Sequence, residues 1–125
     1  MDFLFDNDRP IYVQLVEALR RAIVSGEFGP GARLPSVREL AMQAKVNPNT
    51  MQRALAQLEA EGLIYTERTN GKFVSQSPEL ISAQKSALAE LKARAFLEEM
   101  EKLGLTPPQV MACLQKIGGE MEWRF

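Results

Sequence analysis

Three side chains on one short stretch invite chemistry: Asn49, Gln52 and Arg53. On a helical wheel of about 100° per residue they gather opposite Met51, Ala54, Leu55 and Leu58, with Ala56 and Ala60 continuing their side. Carboxamides pair in two-point fashion with adenine, and a guanidinium does the same with guanine. Small alanines beyond them leave room for a groove wall. A solvated helix face uses the same residue types, so this face alone does not decide.

The neighbourhood adds weight. Between residues 33 and 53 the bases Arg33, Arg38, Lys45 and Arg53 face one acid, Glu39, in a chain of net charge −1. Asn47 and Thr50 flank the start of the same helix, whose N-terminal N–H groups favour a phosphate. Further on, Arg68 and Lys72 bracket Asn70-Gly71, a dipeptide suited to a tight two-residue hairpin turn. A glycine tip lets backbone approach a groove, and Lys72 is placed to reach phosphate.

Other chemistries are excluded. The chain has no histidine and one cysteine, Cys113, which removes imidazole general-base catalysis, His-ligated metal, a thiolate zinc cluster and an internal disulfide. No nucleophile–base pair can be assembled, so we expect no enzyme, metal or cofactor. Cys113 falls on an apolar stripe and is expected to be a buried small hydrophobe. Gly29-Pro30-Gly31 lacks the spacing and lysine of a phosphate-binding loop. Glu98, Glu99 and Glu101 read as a solvated helix face, with Glu98–Lys102 one supporting pair. The acidic N-terminus lacks an apolar signal region, and no apolar run could span a bilayer, so a cytoplasmic protein is expected.

The elements that position these residues can be read from periodicity and caps. Residues 10–25 form a first helix with Ile11, Leu15, Ala18, Leu19, Ala22 and Ile23 inward. Ser36-x-x-Glu39 opens a helix over 37–44, and Asn47-Pro48 opens the next over 48–61. Two helices at a tight turn make a helix-turn-helix, whose second member enters the major groove. Short strands at 63–67 and 72–74 make the hairpin, with an extended piece at Arg33-Leu34. Residues 79–103 and 107–118 form two more helices, the second opened by Thr106-Pro107-Pro108-Gln109 and ended by Gly118-Gly119. The fold class is mainly α with a small β-hairpin wing. Residues 1–76 form a winged helix-turn-helix and 77–125 a helical dimerisation segment.

That last segment has apolar stripes two helices cannot both enclose. Ile81, Leu88, Leu91, Met100, Leu103, Val110, Leu114 and Ile117 are expected to meet a second copy about a two-fold axis. Met121, Trp123 and Phe125 leave an apolar end.

Several spaced anchors resemble the bacterial GntR family of transcription regulators, in particular its short YtrA-type branch. They are Pro10-Ile11-Tyr12-x-Gln14-Leu15, Gly26-x-x-x-Pro30-Gly31-x-x-Leu34-Pro35-Ser36-x-Arg38-Glu39-Leu40-Ala41 and Val46-Asn47-Pro48-Asn49-Thr50-Met51-Gln52-Arg53-Ala54-Leu55. Leu58-Glu59-x-Glu61-Gly62-Leu63-Ile64 and Gly71-x-Phe73-Val74 continue the match. The resemblance implies a homodimeric repressor on a pseudo-palindromic operator. By it, Arg38 reaches DNA from the second helix. Asn47, Asn49, Thr50, Gln52 and Arg53 lie where the recognition helix meets phosphates and bases, and Gly71 where the wing enters the minor groove. Pro48 and Gln52 stand where longer members often carry arginine, so base preference does not carry over. The alternative reading is a winged-helix module that docks a protein. The residues name neither an operator nor a small-molecule effector.

Overall fold

A computed structural model describes residues 1–123, which leaves Phe125 outside the described residues. In order come α1 (Ile11–Val24), α2 (Val37–Ala44), α3 (Pro48–Ala60), β1 (Ile64–Glu67), β2 (Gly71–Val74), α4 (Pro78–Lys102) and α5 (Pro107–Glu120). The chain is mainly helical with one antiparallel hairpin, as expected. It divides into two compact units, Met1–Ser86 and a second from Ala87 onward. The first therefore extends past residue 76, because Leu80 and Ile81 in the first turn of α4 pack on its core.

That core forms where apolar faces of α1, α2 and α3 meet the hairpin. Leu15, Leu19, Ile23, Leu40, Met51, Leu55, Leu58, Leu63, Ile64 and Val74 are fully buried. The expected face of α3, Met51, Ala54, Leu55 and Leu58, is its buried set. On α1 the stripe is displaced: Val16 and Val24 are buried, Ala18 is half-buried, and Ile11, at the first helical residue, is 39% exposed. The buried set also includes Gln14, only 4% exposed. Its amide donates to the carbonyls of Asp6 at 2.9 Å and Arg9 at 2.8 Å, and its oxygen accepts from the Asp6 N–H at 2.9 Å. One side chain thus pins the segment before α1, and its burial is fully compensated by hydrogen bonds.

Local signals set the helix ends. Ser36 Oγ accepts from the Glu39 N–H at 3.1 Å while Glu39 accepts from the Ser36 N–H at 3.4 Å. Asn47 Oδ1 accepts from the Asn49 N–H at 2.7 Å, and Pro48 occupies the first turn where its missing N–H costs nothing. Lys45, between α2 and α3, is left-handed at φ 57 and ψ 46.

The hairpin turn differs from the expected two-residue form. Glu67 pairs with Gly71, so Arg68, Thr69 and Asn70 make a three-residue loop. The Asn70 N–H returns to the Glu67 carbonyl at 3.2 Å, and only then does Gly71 take φ +101. A turn followed by a positive-φ glycine is the three-residue solution, and it spares Asn70 the left-handed state. Arg33 forms an isolated antiparallel bridge with Phe73, adding a third extended piece to the wing.

In the second unit, α4 closes on Gly104 at φ +81, with Leu105 N–H bonded to Met100 O at 3.2 Å and Gly104 N–H to Glu101 O at 2.9 Å. Gln109 Oε1 accepts from the Thr106 N–H at 2.8 Å at the start of α5. The expected stop at Gly118-Gly119 does not occur. The helix runs on to Glu120, Gly118 is buried, and the left-handed residue is Glu122 at φ 61. Cys113 is exposed, not buried: α5 turns Val110 inward and leaves the cysteine outside. Along α4 the described ion pair is Arg94–Glu90 at 2.8 Å rather than Glu98–Lys102.

Of the eight side chains expected at a dimer contact, two are engaged by their own chain. Ile81 is partly buried on the first unit's core, and Val110 is buried within the second unit. Leu88, Met100 and Leu114 are half-buried, while Leu91, Leu103 and Ile117 are exposed. Among the described residues no helix is long and apolar enough to cross a membrane.

Candidate nucleic-acid interface

The outer side of α3 carries Asn49, Gln52, Arg53, Ala56 and Ala60, all exposed, while Thr50 is half-buried. Burial of Met51, Ala54, Leu55 and Leu58 fixes the helix rotation, so these polar groups cannot turn inward without emptying the core. Asn47 sits at the N-cap with its oxygen committed to the backbone, which leaves its amide N–H groups for an outside partner. Arg38 on α2 is exposed. The left-handed Lys45 lies between the two helices and is exposed as well.

Arg53 has a neighbour that periodicity did not reveal. Its guanidinium carbon lies 4.7 Å from the ring centroid of Tyr12 on α1. Among the described residues it makes no ion pair. A lateral spacing of 41 residues carries no local signal. Only the packing of α1 on α3 creates the contact.

The wing distributes its charges differently from the expected pattern. Gly71 is exposed, but it opens β2 opposite Glu67, and the expected tip position falls to Arg68, Thr69 and Asn70. The Lys72 ammonium, however, donates to Thr66 Oγ1 at 2.8 Å and lies 3.9 Å from Glu59 Oε2, with its side chain only 15% exposed. It ties the wing to α3. Arg33 takes the outer place: a Cβ built on Gly71 would lie 3.5 Å from Arg33 Nε. A cleft between wing and α2 is lined by Arg33, Ser36, Glu39, Arg68 and Lys72, among others. The bridge between Arg33 and Phe73 makes this arrangement, and the extended piece at Arg33-Leu34 was its only trace in sequence.

Behind the face, Arg20 on α1 grips Glu61 after α3 through two oxygens, with Nη2 2.7 Å from Oε1 and 2.6 Å from Oε2. Gln57 Nε2 adds a bond to Oε2 at 2.9 Å. Partial burial pushes the Glu61 carboxyl up, but the hydrogen bonds from Arg20 and Gln57, with the charge of Arg20, outweigh it and hold it below the ordinary carboxylate value.

Two helices at a tight turn, a second helix with its polar face outward, and an adjoining hairpin define a winged helix-turn-helix. The chain belongs to the GntR family: the family described as "Bacterial regulatory proteins, gntR family" matches residues 11–74. It is 38% identical to the uncharacterised HTH-type transcriptional regulator YhcF of Bacillus subtilis, over 89% of this chain and 92% of that protein. It is 37% identical to the HTH-type transcriptional repressor YtrA of the same organism, over 75% of this chain and 68% of that protein. Among solved structures, a GntR family transcriptional regulator from Listeria monocytogenes superposes with a TM-score of 0.85 at 39% identity, covering 90% of this chain and 98% of that one. The DNA-binding domain of AraR in complex with operator ORX1 gives 0.54 at 30% identity, covering 58% of this chain and 93% of that one. These relatives are regulators, as the resemblance implied.

Proposed function

We propose that the chain is a homodimeric repressor that reads a pseudo-palindromic operator in the cytoplasm. The carrying observation is the polar face of α3, held outward by a full apolar contact on its other side. In this reading Asn49, Gln52 and Arg53 meet base edges in the major groove, while Arg38, Asn47 and Thr50 meet the backbone. Gly71 brings the wing to the minor groove. The operator complex of AraR supports the DNA partner, and the repressor name of YtrA supports the sign.

The second unit is the dimerisation segment. Leu91, Leu97, Leu103, Met111, Ile117, Met121 and Trp123 are all exposed large apolar side chains there, more than an isolated helical pair normally leaves to water. A second copy covers them most simply. Two heads then read half-sites separated by about 10–10.5 bp or a multiple.

Selection from random duplex DNA at about 150 mM salt with competitor present tests this. Enrichment of a two-fold symmetric site is the expected result. Salt-sensitive binding without a motif would reduce the protein to a non-specific binder, and no binding at all would favour a protein-docking module.

A further inference from the structure

We infer that Tyr12 is a positioning residue for base recognition: its ring holds Arg53 of α3 in the orientation that reads one base pair. The inference rests on the proposed DNA-binding face and adds a residue of α1, on the far side of the helix-turn-helix in sequence, to the machinery of specificity.

An arginine on a solvated helix has many rotamers, and ordering it on DNA costs affinity and blurs which base it meets. Here the guanidinium carbon stands 4.7 Å from the Tyr12 centroid, within the range of a cation–π contact. The ring is half-buried and packed against the core of the first unit, so it offers a fixed platform. The platform is secured locally too. Pro10 gives α1 no side-chain cap, and a first turn would fray, yet Gln14 binds the residues before it through three hydrogen bonds.

The choice of an aromatic ring is informative. Arg20, deeper between α1 and the end of α3, is held by the carboxylate of Glu61 and spends its donors there. A carboxylate beside Arg53 would do the same and would also repel phosphate. A ring face orients the cation while leaving it without an ion-pair partner among the described residues, so its planar fork remains available to guanine O6 and N7.

The test compares full-length wild type, Tyr12→Phe, Tyr12→Leu, Arg53→Ala and the double variant Tyr12→Leu/Arg53→Ala on the operator that selection provides. Single-base variants of that site locate the base pair whose discrimination Arg53→Ala abolishes. Tyr12→Phe should keep that discrimination within about twofold. Tyr12→Leu, which preserves apolar bulk, should lose about tenfold there, leave other positions and the salt slope unchanged, and cost nothing further in the double variant. In the free protein, the Arg53 side-chain N–H resonance should carry a ring-current shift that Tyr12→Leu removes and Tyr12→Phe keeps. Unchanged discrimination in Tyr12→Leu would overturn the proposal. So would an equal loss in Tyr12→Phe, which would make the hydroxyl a DNA contact, or a uniform loss across all positions, which would make the ring merely structural. A wild type without any sequence preference would instead overturn the DNA-reading face itself, and the resonance experiment would still report on the stacking.

Discussion

Arg20 and Glu61 join the middle of α1 to the end of α3 through a two-point ion pair, 2.6 Å at its shortest, with both side chains about one-fifth exposed. The contact ties α1 to the residue that caps the C-terminal end of α3. It is placed to matter for stability without touching DNA.

Glu61→Gln should therefore lower stability by roughly 1–2 kcal/mol, since it leaves a largely covered guanidinium without its counter-charge. The sign with pH follows from the lowered carboxyl. A group held below its unfolded value of 4.5 adds stability above that value and loses it as pH falls through the folded value. Thermal unfolding between pH 7 and about 3 should show wild type and Glu61→Gln converging at the acid end. A constant gap across that window would remove the ion pair as its cause.

The wing gives a second prediction, because its two cations have separate tasks. Lys72 is tied to Thr66 and Glu59, whereas Arg33 lies exposed against Gly71. Arg33→Ala should reduce the slope of log K against log salt by about one, the loss of one phosphate contact. Lys72→Ala should leave that slope nearly unchanged and instead loosen the hairpin, seen as faster amide exchange in β1 and β2. The reverse pattern would return Lys72 to the phosphate role that its place in the sequence suggested.

That difference shows what was legible in the chain and why. Every helix was readable, because Ser36, Asn47 and Pro48 start α2 and α3 by local chemistry and the buried face of α3 repeats at helical spacing. The polar face of α3 followed by geometry. Contacts between elements were not readable. The partners of Arg53 and Lys72 depend on how α1 crosses α3 and where the wing folds back. Gln14 was hidden for another reason: a polar residue on an apolar face looks like a mismatch until its three backbone partners are known. Cys113 and Val110 fall on one apolar stripe, yet only Val110 is buried, and a stripe of similar apolar residues does not specify which of its members face inward.

Backbone strain supplies a third prediction. Lys45 holds φ 57 in the turn between α2 and α3, a conformation that costs a side-chain-bearing residue about 1 kcal/mol. Lys45→Gly should stabilise the protein by up to about 1 kcal/mol, less the added entropy of the unfolded glycine. If the lysine is kept there to meet phosphate, the same variant should bind operator more weakly at about 150 mM salt and less so at high salt. A variant both more stable and equal in affinity would leave the strained lysine without a role in binding.

The apolar surface of the second unit sets the last expectation. Leu91, Leu103 and Ile117 are exposed, so a charge there costs the isolated chain little, while in a dimer it would bury an unpaired carboxylate. Leu103→Glu or Ile117→Glu should shift sedimentation from dimer to monomer with helical content retained. Operator affinity should fall by a hundredfold or so on the order of the lost avidity, while a half-site binds as before. Val110 is the contrast: already buried in its own unit, Val110→Ala should lower the melting temperature through a cavity and leave the oligomeric state alone. Dissociation caused by Val110→Ala, with Leu103→Glu still dimeric, would place the contact on a different face of these helices.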